Sequence, residues 1–345
     1  MTRIAVANLR MAGLDGPARE WESAGHEVIM IKAPPAPTIE YPVAELAELA
    51  GPADILVNDG RQYISDAILD SLPTLRAVCV PFIGVDKIDV AAATARNLIV
   101  ANSPSEPLLH AVAEATILLM LALNKRLRHE ENLLLQGKVG MPEDRNDQFM
   151  GKTIGIVGLG RTGKQIAVRL QGWGVRILAH DPYLPEVPEN LRGLVELADL
   201  ETLLRQSDFV AAQAVLTSET YHMIGERELR LMKPTAYVVN TARGAIIDEE
   251  ALVEAVNAGV IAGAGLDTFE TEPLPMSSRL RELDPERVIL TPHILPHSQE
   301  AIAGNMALLT RNVLNLAAGR LPEQLVNREV IPNWEKRFAA MKMRS

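Results

Sequence analysis

The chain has 345 residues, enough for two domains of ordinary size. Acids outnumber bases 44 to 34, and the formal charge of −10 argues against a nucleic-acid or anionic-membrane partner. Hydrophobic residues at 48% and charged ones at 23% are the balance of a globular protein, and one cysteine, Cys79, excludes an internal disulfide and fits a reducing cytoplasm.

Met1-Thr2-Arg3 runs into a strand-like Ile4–Ala7 without a signal-peptide pattern. Further β-rich runs follow at Glu27–Ile31, Ile55–Val57, Ala77–Val80 and Leu98–Ala101, with helical stretches at Gly16–Ala24, Asp66–Leu72 and Ala91–Arg96. That alternation predicts a first doubly wound α/β unit, one that lacks a glycine fingerprint. The Pro-rich Ala33–Pro42 reads as a surface connection, and Cys79, inside the strand-like Leu75–Val80, as a buried inert thiol. Asn102-Ser103-Pro104 and Glu106-Pro107 break the pattern like a hinge, after which a single long helix is expected from Leu108 to Gln136. Its apolar run, Ala111–Leu123, is shorter than the about 20 residues that span a bilayer. It reads as a buried helix or a subunit contact.

Residues 153–183 are the most informative segment. Thr153–Val157 reads as a buried strand, Lys164–Leu170 as a helix and Val175–His180 as the next strand, with glycines at Gly158, Gly160 and Gly163 between the first two. Such spacing allows a tight strand-to-helix turn, close approach of backbone to a pyrophosphate and close helix–sheet packing. Amides at the helix start would then face the phosphates. Asp181 follows the second strand, 18 residues beyond Gly163, where a carboxylate accepts hydrogen bonds from a ribose and repels a 2′-phosphate. The cofactor expected is therefore NAD rather than NADP.

Later strands are expected at Phe209–Gln213, Ala236–Asn240, Ala262–Asp267 and Val288–Thr291, and a final helix at Gln299–Ala318. The tail Trp334–Ser345, with Lys336, Arg337, Lys342 and Arg344, reads as a partly ordered surface helix. The fold expected is α/β, with two doubly wound (Rossmann/flavodoxin-like) domains and a cleft between them. Residues 102–292 would form the dinucleotide-binding domain, inserted into a substrate domain of residues 1–101 and 293–345.

Hydride chemistry on an oxyacid needs a cation to hold the acid and a group to exchange the hydroxyl proton. Three strand ends carry candidates: Arg243, Glu272 and His293. A guanidinium grips a carboxylate through two hydrogen bonds, and a histidine held by a carboxylate is the natural proton shuttle near neutral pH. His297 lies four residues after His293, but Pro296 between them breaks a helix and no third ligand is evident, so no metal is expected.

With these pieces in place the chain resembles the D-isomer-specific 2-hydroxyacid dehydrogenase family. The matching segments are Gly84-Val85-Asp86-Lys87-Ile88-Asp89, Ala111-Val112-Ala113-Glu114, residues 151–160, Val239-Asn240-Thr241-Ala242-Arg243-Gly244, Leu266-Asp267 with Glu272-Pro273, Thr291-Pro292-His293 and, near the end, Val326-Asn327. The resemblance implies NAD-dependent interconversion of a D-2-hydroxy acid and its 2-oxo acid, by a cytoplasmic homodimer. It assigns Arg243 to substrate binding and carbonyl polarisation, His293 to acid/base work and Glu272 to its support. Backbone amides near Ile83 and Gly84 would receive the substrate carboxylate. Arg161 and Thr162 would meet the pyrophosphate, Val215 and Thr220 lie near the cofactor, and Thr241 and Asp267 orient the nicotinamide amide.

The chain departs from the family pattern at Ile294-Leu295-Pro296-His297, where Gly-Gly or Ala-x is common, and at Gln213-Ala214-Val215, where His-x-Pro is usual. Arg61 and Tyr63 replace small or hydroxyl residues, and Arg61 is a candidate second contact for a phosphate or distal carboxylate. Two other functions fit the same fold: a formate- or phosphite-type dehydrogenase, and a non-catalytic NAD-sensing corepressor. Formate enzymes pair the histidine with glutamine, which Glu272 does not match.

Overall fold

The computed structural model describes residues 1–8, 13–34, 40–60 and 62–342, with side chains as far as 336 except at 8. Half of the expected Pro-rich connection (residues 35–39), the end of the tail and Arg61 fall outside the described residues. The chain divides into two compact units, Met1–Leu108 with Gln299–Ser345, and Leu109–Ser298, so His293 belongs to the second.

The first unit alternates β1 (Arg3–Asn8), α1 (Asp15–Ser23), β2 (Glu27–Lys32), α2 (Val43–Ala50), β3 (Ile55–Asn58), α3 (Asp66–Ser71), β4 (Ala77–Cys79), α4 (Val90–Ala95) and β5 (Ile99–Ala101). Its strands are all parallel, in the order β2-β1-β3-β4-β5. Strands in such a sheet are covered on both faces, which is why they read as unbroken apolar runs. Leu56, Val78 and Val100 face one cluster with Leu46 and Ile68, whereas Ile4, Val6 and Ile55 face another with Trp21. Ser65 and Asp89 cap α3 and α4 by accepting from Ile68 N–H and Ala92 N–H. Cys79 is buried as expected, and burial pushes its thiol up to about 12, so it is inert.

α5 (Glu106–Asn124) leads into the second unit, and α6 (Leu127–Leu135) follows. The single helix expected over 108–136 is therefore two. Arg126 between them takes the left-handed conformation, φ 50°, at a cost of roughly 1–2 kcal/mol for an L-residue, which ends the first helix. At 19 residues and a mean hydropathy of 1.6, α5 is long and apolar enough to cross a membrane by composition. Its residues Ala113, Ile117, Met120 and Leu123 are buried instead, against Ile154, Ile156, Phe209 and Val239, as in the core helix of a globular unit.

The second sheet is built from β6 (Thr153–Val157), α7 (Arg161–Arg169), β7 (Arg176–His180), β8 (Val195–Leu197), α8 (Leu200–Gln206), β9 (Phe209–Ala212), α9 (Glu226–Leu231), β10 (Tyr237–Asn240), α10 (Glu249–Asn257), β11 (Gly263–Leu266) and β12 (Val288–Leu290). Its strands are parallel in the order β12-β11-β10-β9-β6-β7-β8. The winding direction reverses between β6 and β9, and crevices beyond the carboxyl ends of strands at such a point are where ligands bind.

α11 (Gln299–Ala317) and α12 (Ile331–Lys342) return to the first unit. Leu309 and Val313 of α11 pack against Ile4 and Val6. The tail helix is more firmly seated than its charges suggest: Trp334 is buried, and its indole N–H donates to the Arg76 carbonyl at 3.1 Å. Asn327, also buried, accepts from Val100 N–H at 2.9 Å and donates to the Leu98 carbonyl at 2.8 Å, tying the chain end to β5.

Candidate active site

β6 delivers the chain into the glycine turn at the reversal point. Gly158 has φ 98°, and a Cβ there would sit 2.7 Å from Ala214 N, so only glycine lets this turn lie against the loop after β9. A Cβ on Gly163 would run into the Gly158 carbonyl oxygen. Gly160 has nothing within 4 Å of its would-be Cβ and caps α7 without a side-chain bond. Open backbone at a helix start, flanked by two packed glycines, fits a pyrophosphate beside Arg161 and Thr162. Asp181 reaches back from the end of β7, accepting from Leu159 N–H at 3.0 Å and Tyr183 N–H at 3.1 Å. Those bonds fix the carboxylate beside the turn.

The strand end at Asp267 carries the most telling group. Its carboxylate is fully buried; Oδ1 accepts from Thr291 Oγ1 at 2.6 Å and from Ile294 N–H at 3.2 Å, yet Oδ2 has no partner. An unsatisfied buried carboxylate oxygen is costly unless a ligand donor meets it. A carboxamide NH2 is such a donor, so the residues present fit the nicotinamide end of NAD. Leu295 N–H also reaches the same Oδ1, at 3.4 Å, and the Leu295 side chain packs on the Ile154–Ile289 cluster.

Thr241, after β10, sits in a hydroxyl network that sequence reasoning missed. Its Oγ1 lies 2.7 Å from that of Thr116 on α5 and accepts from Gln213 Nε2 at 2.9 Å. Gln213, visible in the sequence only as a departure, therefore ties the loop after β9 to the loop after β10. No sequence spacing points to Thr116; only the packing of α5 on the sheet brings it there.

Two of the expected catalytic residues, His293 and Glu272, meet, and Arg243 acts on Glu272 by its charge. His293 follows β12 with φ 54°, a rare conformation for a non-glycine residue and one that clusters at functional sites. Its Nδ1 lies 2.8 Å from Glu272 Oε2 and 3.0 Å from Oε1. Glu272 also accepts from Phe269 N–H at 3.0 Å. Burial alone would raise the Glu272 carboxyl, but the His293 hydrogen bond and charge, the Phe269 amide and the Arg243 guanidinium hold it below the usual carboxylate value. Arg243 is half-buried, with Nη1 donating to the Ala242 carbonyl at 2.6 Å. Asn240 fixes its backbone, donating to the Arg243 carbonyl at 2.8 Å. Gly244 is needed next to it because a Cβ would collide with the Phe269–Glu270 backbone, the loop that presents Glu272. That loop is braced further by Glu270, which meets His222 Nε2 at 3.0 Å and accepts from Glu249 N–H at 3.1 Å. His222 lies between two carboxylates, with Asp248 Oδ2 3.7 Å from Nδ1 and Glu270 Oε1 3.0 Å from Nε2.

Val215 is exposed, and its carbonyl accepts from Thr220 Oγ1 at 2.6 Å, so these two shape one turn of the loop after β9. Ile83 and Gly84 belong to the first unit, where Asn102 Nδ2 donates to the Ile83 carbonyl at 2.7 Å. Tyr63, also of the first unit, is 41% exposed, and the proposed anion contact of Arg61 lies outside the described residues.

A profile of the NAD-binding domain of D-isomer specific 2-hydroxyacid dehydrogenases matches residues 117–294. A glyoxylate reductase of Thermococcus litoralis is 38% identical over 314 residues, covering 89% of this chain and 92% of that one. A second, from Thermococcus gammatolerans, is 41% identical over 300 residues, covering 85% and 88%. Among solved structures, a glyoxylate reductase from Paecilomyes thermophila superposes with a TM-score of 0.81 at 26% identity, over 95% of this chain and 99% of that one.

Proposed function

The chain belongs to the D-isomer-specific 2-hydroxyacid dehydrogenase family, whose members interconvert 2-hydroxy and 2-oxo acids with NAD, and from there we propose that it acts on a small 2-oxo acid, glyoxylate first. The observation that carries the site assignment is the His293–Glu272 pair within the field of Arg243, on the unit that holds the dinucleotide turn. Similarity to two glyoxylate reductases supports the substrate.

NAD, when bound, supplies or accepts the hydride; Gly158, Gly160, Arg161, Thr162, Gly163 and Asp181 would hold its phosphate and ribose end, Val215 and Thr220 flank it, and Thr241 and Asp267 would orient its amide. Everything else is the work of side chains. Nδ1 of His293 faces Glu272, so Nε2 is the nitrogen that gives a proton to the carbonyl oxygen in reduction and takes it from the hydroxyl in oxidation. Glu272, held ionised, fixes the tautomer and stabilises the imidazolium. Arg243 grips the substrate carboxylate and draws charge from the carbonyl. We place the enzyme in the cytoplasm as a homodimer; Leu134 and Leu135, 77% and 78% exposed on α6, support a face that a second copy covers.

The test is NADH oxidation against glyoxylate, pyruvate, hydroxypyruvate and branched, aromatic, dicarboxylic and phosphorylated 2-oxo acids, with the chirality of the product determined where one exists. Highest kcat/KM on glyoxylate and D-products elsewhere are expected. A preference for a bulky or phosphorylated acid would overturn the substrate assignment.

A further inference from the structure

Four strands of the second unit end in one register. Val157 of β6 pairs with Ala212 of β9, Ala212 with Asn240 of β10, and Asn240 with Leu266 of β11. The residues that follow, Gly158, Gln213, Thr241 and Asp267, therefore form a row along the carboxyl edge of the sheet. Backbone bonds hold two of its steps: Gln213 N–H donates to the Val157 carbonyl at 2.7 Å, and Asp267 N–H to the Asn240 carbonyl at 2.9 Å. With strands about 4.8 Å apart, the row runs for roughly 14 Å. Its two ends suit the two ends of half a dinucleotide, the pyrophosphate at the glycine turn and the carboxamide at Asp267. Between those groups a dinucleotide carries the nicotinamide-side ribose, and the side chain next to the turn in the row is Gln213.

The hydrogen bonds around Gln213 fix which way its amide faces. The Val112 carbonyl can only accept, so Thr116 Oγ1 spends its one proton there, at 2.8 Å. Thr241 must then donate across the 2.7 Å contact between the two hydroxyls. Both hydroxyl protons are used. The contacts from Gln213, 2.9 Å to Thr241 Oγ1 and 3.3 Å to Thr116 Oγ1, need donors from the amide, and Nε2 supplies them. A reversed amide would set oxygen against two oxygens with no proton to share. Oε1 is therefore turned away from the network, and no donor meets it among the described residues. The side chain is half-buried, and this oxygen is accessible. Ribose hydroxyls are donors that such an oxygen can accept from.

We propose that Gln213 binds the cofactor directly, Oε1 accepting from a hydroxyl of the nicotinamide-side ribose while Nε2 anchors the side chain to Thr241 and Thr116. The contact rests on the dinucleotide lying with its pyrophosphate at the glycine turn. Because the amide is already held on its inner side, little side-chain freedom is lost when the ribose arrives.

Calorimetric titration of ADP, ADP-ribose and NADH into the full-length protein separates the contacts, since ADP lacks this ribose and ADP-ribose lacks only the nicotinamide. Gln213→Met is expected to weaken ADP-ribose and NADH by about three- to tenfold and to leave ADP unchanged. Gln213→Asn, which withdraws the oxygen by one methylene, should do the same and serves where Gln213→Met does not fold. Asp267→Asn should weaken NADH alone. Thr116→Val, which touches only the inner side of the network, should keep ADP-ribose affinity within about twofold. ADP-ribose affinity unchanged in both Gln213 variants, or an equal loss for ADP and ADP-ribose, would overturn the ribose contact. Failure of the wild-type protein to bind ADP would instead overturn the dinucleotide placement beneath it.

Discussion

Both units are parallel doubly wound sheets whose strands end in buried polar residues, but the ends of β3 and β11 use those residues in opposite ways. At the end of β3, Asn58 donates to the Gln62 carbonyl at 2.8 Å and accepts from Gly60 N–H at 3.3 Å. Gln62 is used up in turn by the Tyr41 amide and carbonyl at 2.7 and 3.3 Å. These side chains hold their own loops. At the end of β11, Asp267 holds its loop with one oxygen and leaves the other buried and unpartnered, the one such carboxylate oxygen among the described residues. A shared topology therefore does not decide which unit carries the dinucleotide; the glycine turn together with the open oxygen of Asp267 marks the second.

Breaking the two strand ends separately should show that division first in cofactor affinity. Asp267→Asn places an amide where an acceptor stood and should weaken NADH binding by roughly ten- to hundredfold, read by fluorescence titration. Asn58→Ala should leave NADH affinity alone and lower the unfolding free energy by about 1–3 kcal/mol, because it strands the Gln62 carbonyl and the Gly60 amide. Equal effects of both changes on NADH binding would erase the distinction.

The glycines of the turn divide the same way. Gly163→Ala drives a methyl group into the Gly158 carbonyl, and we expect a loss of about 1–3 kcal/mol of stability in urea unfolding. Gly160→Ala meets no protein atom, so stability should hold while NADH affinity falls, the new methyl group facing the phosphates. A stability loss in Gly160→Ala as large as that in Gly163→Ala would contradict the role of Gly160.

The smallest effect expected is a pH dependence local to the catalytic pair. Glu272 is held below the ordinary 4.5 in the folded protein, so its contribution to stability is full above that value and is lost as pH falls through the depressed one. The stability gap between wild type and Glu272→Gln should therefore narrow on acidification from about pH 6 to about pH 3. A gap that stays constant would mean that the pair does not hold the carboxylate down.

Much of this was legible in the chain. The strands were found because parallel sheets bury both faces, leaving apolar runs between Gly, Pro and polar breaks. Short elements escaped: α2 buries only Leu46 and Ala50, and β8 is three residues long, so neither gives a clear period. The helix break at Arg126 was invisible, since arginine carries no turn signal of its own. For the site, Arg243, Glu272 and His293 stood out by their positions after strands and by family resemblance. Thr116, the bridging Gln213 and the orphaned oxygen of Asp267 did not, because they depend on which elements pack together and not on spacing.

The measurement that bears most directly on the central claim is glyoxylate-dependent NADH oxidation at saturating cofactor by wild type, His293→Ala, Glu272→Gln and the double variant, with NADH affinity measured alongside. We expect robust wild-type turnover, a loss of about 10²–10⁴ in kcat for His293→Ala with NADH affinity kept, and a double variant little worse than His293→Ala alone. Undiminished turnover in His293→Ala, or losses from the two positions that simply multiply, would contradict a coupled His293–Glu272 acid/base unit.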